Sequence, residues 1–269
     1  MEGLYLYCIR EKTESAPSFV TKGIDGRGKV FIFPYRELEA VISEVSLDEF
    51  GSVEVQKKAQ EDPLWIREKA VIHENVIEEA MRKEDKISSL IPMRFGIIFK
   101  DEKSLEEELS KDYPKIKSVL ENLKGKQEWS IKIYLKDKET LGKLIKEKNE
   151  TIKEKEKEIV SLPEGVAFFM EEELKEIIAK EINKELNNFA EDIFERLKDL
   201  SFDLVKGKLL EKELTGKEKP MVLNVSCLIL EERIEDFKKG VEALDQDINT
   251  KGFYLEYSGP WPAYNFSVY

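Results

Sequence analysis

Apolar residues recur along the chain at two spacings, and each spacing predicts a different element. Leu4-Tyr5-Leu6-Tyr7-Cys8-Ile9 and Val30-Phe31-Ile32-Phe33 are short β-rich runs, the second stopping at Pro34, and residues 38–45 hold enough β-branched side chains to read as a third strand. Asp62-Pro63 supplies an N-cap and a first-turn proline. The apolar positions from Leu64 to Met81 then predict a helix to about residue 82. Residues 89–99 form an apolar run broken by Pro92, Arg94 and Gly96, which reads as one buried strand entered through a proline turn. A helix over 104–123 ends at Gly125. Beyond it, 129–135 alternates as a strand, 141–145 opens a helix, and Leu174, Ile177, Ile178, Ile182, Leu186, Phe189, Ile193 and Leu197 mark a long amphipathic helix over 166–200. Strands at 202–205 and 220–230, a helix over 232–244 and a half-buried strand at 253–257 complete the pattern.

These elements predict an α+β protein of two domains. Residues 1–124 form an N-terminal α+β domain. Residues 125–269 form a C-terminal domain whose strand, helices, strand, strand, helix, strand order suits a modified ferredoxin-like antiparallel sheet with helices on one face. Between its first two strands lies a long helical insertion, about 137–200. Residues 146–158 within it are almost wholly Lys, Glu, Asn and Thr, which reads as a solvated helix extension or a linker. Turn-rich segments at 15–18 and 23–28 separate the first two strands.

Composition narrows the function classes. Charged residues make up 37% of the 269 positions, which calls for long solvated helical faces, and the net charge of −12 argues against nucleic acid and anionic lipid as partners. No apolar run approaches a membrane span, and no signal-like segment opens the chain, so a cytoplasmic setting is expected. Cys8 and Cys227 fall in apolar strand-like runs and read as buried reduced thiols. With one histidine and two distant cysteines, neither a metal nor another cofactor is expected. The glycines at 23, 26 and 28 precede a strand without a Lys-Ser/Thr pair, so a hairpin loop is the better reading than a phosphate loop.

Three features remain as candidates. His73, with nearby carboxylates, is what an enzymatic reading would use, although a structural histidine is favoured. Arg94 sits in an apolar run, where an inward guanidinium needs a partner, so it reads either as a buried ion pair or as an interface residue. The last stretch, Gly259-Pro260-Trp261-Pro262-Ala263-Tyr264-Asn265-Phe266, is aromatic and stiffened by two prolines. It should be an extended segment outside any ladder, with its rings either plugging the C-terminal core or forming a contact surface.

The opening Leu-Tyr-Leu-Tyr-Cys-Ile strand, the run Leu90-Ile91-Pro92-Met93-Arg94-Phe95-Gly96-Ile97-Ile98-Phe99, the segment Gly165-Val166-Ala167-Phe168-Phe169-Met170 and the Gly-Pro-Trp-Pro ending together resemble the gas vesicle protein L/F family in order and spacing. His73 also matches a histidine on that family's first long helix, whereas the acidic stretch after Met170 departs from its pattern. The resemblance implies a non-enzymatic accessory protein of gas vesicle assembly, cytoplasmic and associated with the vesicles. Its implied partners are the hydrophobic shell subunit and other accessory proteins. Gly259, Pro260, Trp261, Pro262, Tyr264 and Phe266, with Pro92, Arg94 and Phe95, are the candidate contact residues.

Overall fold

In the computed structural model, which describes residues 2–13, 18–83 and 86–267, the chain folds as two units. The first is Met1–Glu128 together with Gly259–Tyr269, and the second is Trp129–Ser258. The boundary thus falls a few residues after the expected 124/125, and the aromatic ending groups with the first unit rather than with the C-terminal domain. The turn expected around Ala16 and Pro17 lies outside the described residues.

The first unit runs β1 (Glu2–Glu11), β2 (Val30–Tyr35), β3 (Leu38–Ser46), α1 (Leu47–Phe50), α2 (Ser52–Glu61), α3 (Pro63–Met81), the two-residue strands β4 (Arg82–Lys83) and β5 (Lys86–Ile87), then β6 (Leu90–Pro92), β7 (Ile98–Phe99) and α4 (Glu102–Leu123). Its main sheet has the order β2-β3-β1-β6, with β7 also on β1. β1 is antiparallel to β3, β6 and β7 and is buried along almost its whole length, as a strand covered on both faces must be. Tyr5, Tyr7 and Cys8 pack with Val76, Ile77, Ala80 and Met81 of α3, and Leu6 and Ile9 line a cleft with Leu105, Leu109 and Ile116 of α4.

Local chemistry explains the helix ends. The Asp62 carboxylate accepts the Trp65 backbone N–H at 3.0 Å, with Pro63 in the first turn as expected, and Asp101 and Ser104 form a reciprocal capping box on α4. After α4, Gly125 has a φ of 66°, a conformation glycine adopts freely.

The second unit begins within β8 (Lys126–Leu135) and continues through α5 (Lys138–Lys148), α6 (Glu150–Val160), α7 (Glu164–Leu200), β9 (Asp203–Lys206), α8 (Lys212–Thr215), β10 (Met221–Leu230), α9 (Ile234–Asn249) and β11 (Phe253–Trp261). The sheet order β11-β8-β10-β9 places the fourth strand beside the first and the third between the first and second, which is the order of a split βαβ pair. Trp129, Ile131, Ile133 and Leu135 of β8 and Val225, Cys227 and Ile229 of β10 send alternate side chains to one face. There they meet Ile193 and Leu197 of α7 and Phe237, Val241, Leu244 and Ile248 of α9.

Three expectations need correction. The run 89–99 is not one strand: β6 and β7 are separate pairings on β1, joined through a turn at Phe95-Gly96 where Gly96 has a φ of 88°. Pro34 and Pro260 do not end their strands. β2 and β11 each lie at the edge of a sheet, where a missing N–H donor is tolerated. The charged stretch 146–158 is neither linker nor plain extension. Asn149 caps a new helix by accepting the Ile152 N–H at 3.2 Å, and Ile152 and Ile159 are buried against Leu174 and Ile182 of α7.

Candidate functional site

The closing segment is held on the first unit by two carboxylates. The Asn265 backbone N–H donates to Glu128 Oε2 at 3.1 Å and its Nδ2 to Oε1 at 2.6 Å, so one buried carboxylate engages the main chain and side chain of the same residue. The Tyr264 hydroxyl donates to Glu74 Oε2 at 3.1 Å, while its ring packs on the cluster containing Tyr5, Tyr7 and Val76. Burial raises the Glu74 carboxyl above its ordinary range; the Tyr264 bond pulls it down and the Glu78 charge pushes it up. Burial, together with the charge of Glu74, raises the Tyr264 hydroxyl.

The 91–97 turn is held from beneath by His73. Because the Met93 carbonyl can only accept, His73 Nε2 must carry the proton it donates there at 3.0 Å, which leaves Nδ1 to accept from the Tyr5 hydroxyl at 2.9 Å. Tyr5 in turn accepts the Gly96 N–H at 3.0 Å. This chain of hydrogen bonds ties α3, β1 and both ends of the turn together. Desolvation lowers the His73 pKa to about 4, only partly opposed by the bond to Met93, so the ring is neutral at ordinary pH. Phe95 closes over it, edge to face with Tyr5 at 6.1 Å and with His73 at 5.9 Å. With both nitrogens engaged inside the core, His73 has no free lone pair for a substrate, and it is not among the lining residues of two open clefts found in the described part of the unit.

Between the turn and the tail lies an open groove of about 540 Å³, lined by Ile91, Pro92, Met93, Arg94, Ile97, Tyr264, Asn265 and Ser267. Three of the sequence candidates, Pro92, Arg94 and Tyr264, therefore meet at one place. Arg94 is exposed, not buried, and has neither an acidic nor a hydrogen-bonding partner among the described residues. Pro92 is buried in β6, and Phe95 belongs to the packing under the turn. Trp261 is 41% exposed and lines a separate small cleft with Pro260 and Ala263, so it plugs no core. Pro262 is buried and Phe266 half-buried.

The model of the family described as gas vesicle synthesis protein GvpL/GvpF matches residues 3–268. The chain belongs to the GvpL/GvpF family. Its relatives include gas vesicle protein F1 of Halobacterium salinarum, 22% identical over 98% of this chain and 92% of that one, and gas vesicle protein F of Microcystis aeruginosa, 28% identical over 98% of each. Among solved structures it is similar to GvpF from Anabaena sp. PCC7120, with a TM-score of 0.77 at 19% identity over 100% of this chain and 99% of that one. GvpF from Microcystis aeruginosa matches with a TM-score of 0.67 at 21% identity over 99% of each. GvpL/GvpF membership and the shared fold agree with the resemblance carried by the proline-arginine-phenylalanine-glycine run and the Gly-Pro-Trp-Pro ending.

Of the two readings left open for Arg94, its exposure removes the buried ion pair, which another arginine makes instead. Arg10 is the one inside: its Nε and Nη2 donate to Glu39 Oε2 at 3.0 and 2.7 Å, and its Nη1 donates to the Ala80 carbonyl at 3.0 Å. Arg10 and Glu39 are register partners on β1 and β3, a pairing visible only once the two strands are aligned. Glu128 and Glu74, which hold the tail, also went unmarked, because carboxylates are too numerous here to single out by type.

Proposed function

We propose that this chain is a non-enzymatic assembly factor of gas vesicles. Its groove between the 91–97 turn and the tail binds the apolar shell subunit or a fellow accessory protein in the cytoplasm, with the exposed Trp261 of the same closing segment as a further contact. The observation that carries this reading is the unpartnered, exposed Arg94 on an apolar floor of Ile91, Met93 and Ile97. Ile97, exposed, and the half-buried Tyr264 ring supply the accessible apolar contact over the buried Ile91 and Met93, and one cation fixes the partner's orientation. The tail and turn are both tied down before binding, which limits the conformational entropy lost on association. The net charge of −12 keeps a protein that carries such a surface dispersed.

The test is co-expression with the shell subunit and measurement of co-purification for the native chain and for Arg94→Glu/Ile97→Ser and Trp261→Ala. All three positions are exposed, so folding should survive, as a melting curve will show. Loss of capture by the folded Arg94→Glu/Ile97→Ser variant supports the groove. Capture at the native level by all variants overturns it.

A further inference from the structure

We propose that the start of α7 is a second docking surface, one that takes a basic amphipathic helix from another protein. Near the start of α7 five consecutive apolar residues, Val166 to Met170, occupy every side of about one turn. Ala167, Met170 and Leu174 face α5 and α6 and are covered there. Phe168 and Phe169 point the other way, 60% and 74% exposed, and Val166 is 49% exposed. They are the two most exposed of the large aromatic side chains among the described residues, and their rings meet edge to face at 5.9 Å. Helices with apolar residues on every side are normally covered on every side. Here the sequence places two phenylalanines in water directly beside a face that already satisfies the helix's own packing.

Charge decides the occupant. Residues 164–176 carry five glutamates against one lysine. Glu172 is paired with Lys175 and Glu173 with Lys155, whereas Glu171 is exposed and has no ion-pair partner among the described residues. An apolar patch beside a net excess of acid favours a segment whose apolar face is flanked by lysine or arginine, the helix-in-groove mode with complementary ends. A second copy of this chain would set acid against acid, and an anionic membrane would be repelled in the same way. The surface lies in the second unit and shares no residue with the groove around Arg94, so neither proposal depends on the other.

Binding of a labelled leucine–lysine amphipathic helix to the full chain, followed by fluorescence anisotropy, tests the assignment, with a leucine–glutamate helix of the same length as the control. The expected result is saturable binding of the lysine peptide that weakens with added salt. At least about a tenfold loss is expected for Phe168→Ser/Phe169→Ser, which removes both aromatic anchors, and a smaller loss for Glu171→Lys. Both are surface changes, and unchanged melting curves confirm that folding is intact. Arg94→Glu and Trp261→Ala should bind the peptide as the native chain does. Equal binding of the two peptides, equal binding by the double variant, or no binding at all overturns the proposal. So does a phenylalanine-dependent dimer in sedimentation, which would make a second copy the occupant.

Discussion

The seven buried polar or charged side chains identified among the described residues, Arg10, Glu39, Ser43, Lys69, His73, Glu128 and Ser267, all lie in the first unit. The core of the second unit is built from the alternate faces of β8 and β10 and the stripes of α7 and α9; among the described residues, its buried polar atoms without a partner are the indole N–H of Trp129 and the Ser201 hydroxyl. The difference follows from what each core must hold. Regular elements satisfy their own backbone, so an apolar face is enough to join them. The first unit must also fix the 91–97 turn and an irregular tail, whose backbone groups need named partners. It supplies them from His73, Tyr5 and Glu128. Burying these groups makes the first unit specific in geometry and sensitive to single changes, whereas the second should respond to lost volume alone.

The largest test of that contrast is the Arg10–Glu39 pair. Glu39→Ala leaves a buried guanidinium with only the Ala80 carbonyl and Thr13, and should cost about 3–5 kcal/mol in urea unfolding. Replacing both partners with apolar residues, Arg10→Met/Glu39→Leu, should recover most of the loss, since buried pairs are often no better than well-packed hydrophobics. A double variant as unstable as the single one would mean that the pair contributes more than the removal of a stranded charge.

Next in size is the pH response of His73. The folded state binds its proton only near pH 4, against an ordinary value of 6.5, so the unfolded chain holds more protons between them. The stability contributed by the neutral ring is complete above the ordinary value and falls, by about 3 kcal/mol, as the pH drops to the folded one. Glu74 acts with the opposite sign, because its raised carboxyl binds a proton more tightly in the folded state and so offsets part of the loss. His73→Gln should therefore flatten the dependence of melting temperature on pH between 6.5 and 4. A slope equal to the native one would remove His73 as its source.

A smaller effect is expected at the tail. Asn265→Ala removes the side-chain donor to Glu128 but leaves the backbone one, for a loss of about 1–2 kcal/mol. Amide exchange should quicken over 259–267 and stay unchanged in β8 and β10, since the change loosens a segment rather than a core. Uniform acceleration across both units would show that the tail is part of one cooperative core.

What could be read from the sequence divides along the same line. The second unit was legible because its information is periodic: Ile193, Leu197 and the alternating residues of β8 and β10 announce their faces from neighbouring positions alone. In the first unit, β1, β3 and α3 were legible for the same reason, but the site was not. His73 meets Tyr5 across 68 positions, Asn265 meets Glu128 across 137 and Tyr264 meets Glu74 across 190, and no local pattern encodes such distances. The Gly-Pro-Trp-Pro segment was conspicuous for its composition, yet composition left open whether it would be plug or surface. The structure divides it, with Pro262 buried, Tyr264 half-buried against the first core and Trp261 exposed.

The smallest predicted effect probes one of the two buried polar atoms of the second unit, Trp129 Nε1 and Ser201 Oγ, that have no partner among the described residues. Trp129 is buried against Phe237 and Tyr257, at ring separations of 5.9 and 6.1 Å, yet its Nε1 has no acceptor among the described residues. An unmet buried donor costs about 1–3 kcal/mol. Trp129→Phe removes that donor and also some ring volume, a loss on the order of 1 kcal/mol. The two terms oppose each other, so the variant should melt within a few degrees of the native protein, while Tyr7→Phe, which strips the paired hydroxyl that the Ile24 N–H and Ser43 rely on, should be clearly destabilising. If Trp129→Phe proves the more damaging of the two, the second core is held by the shape of its indole, and the contrast between a polar and an apolar plan loses its energetic meaning.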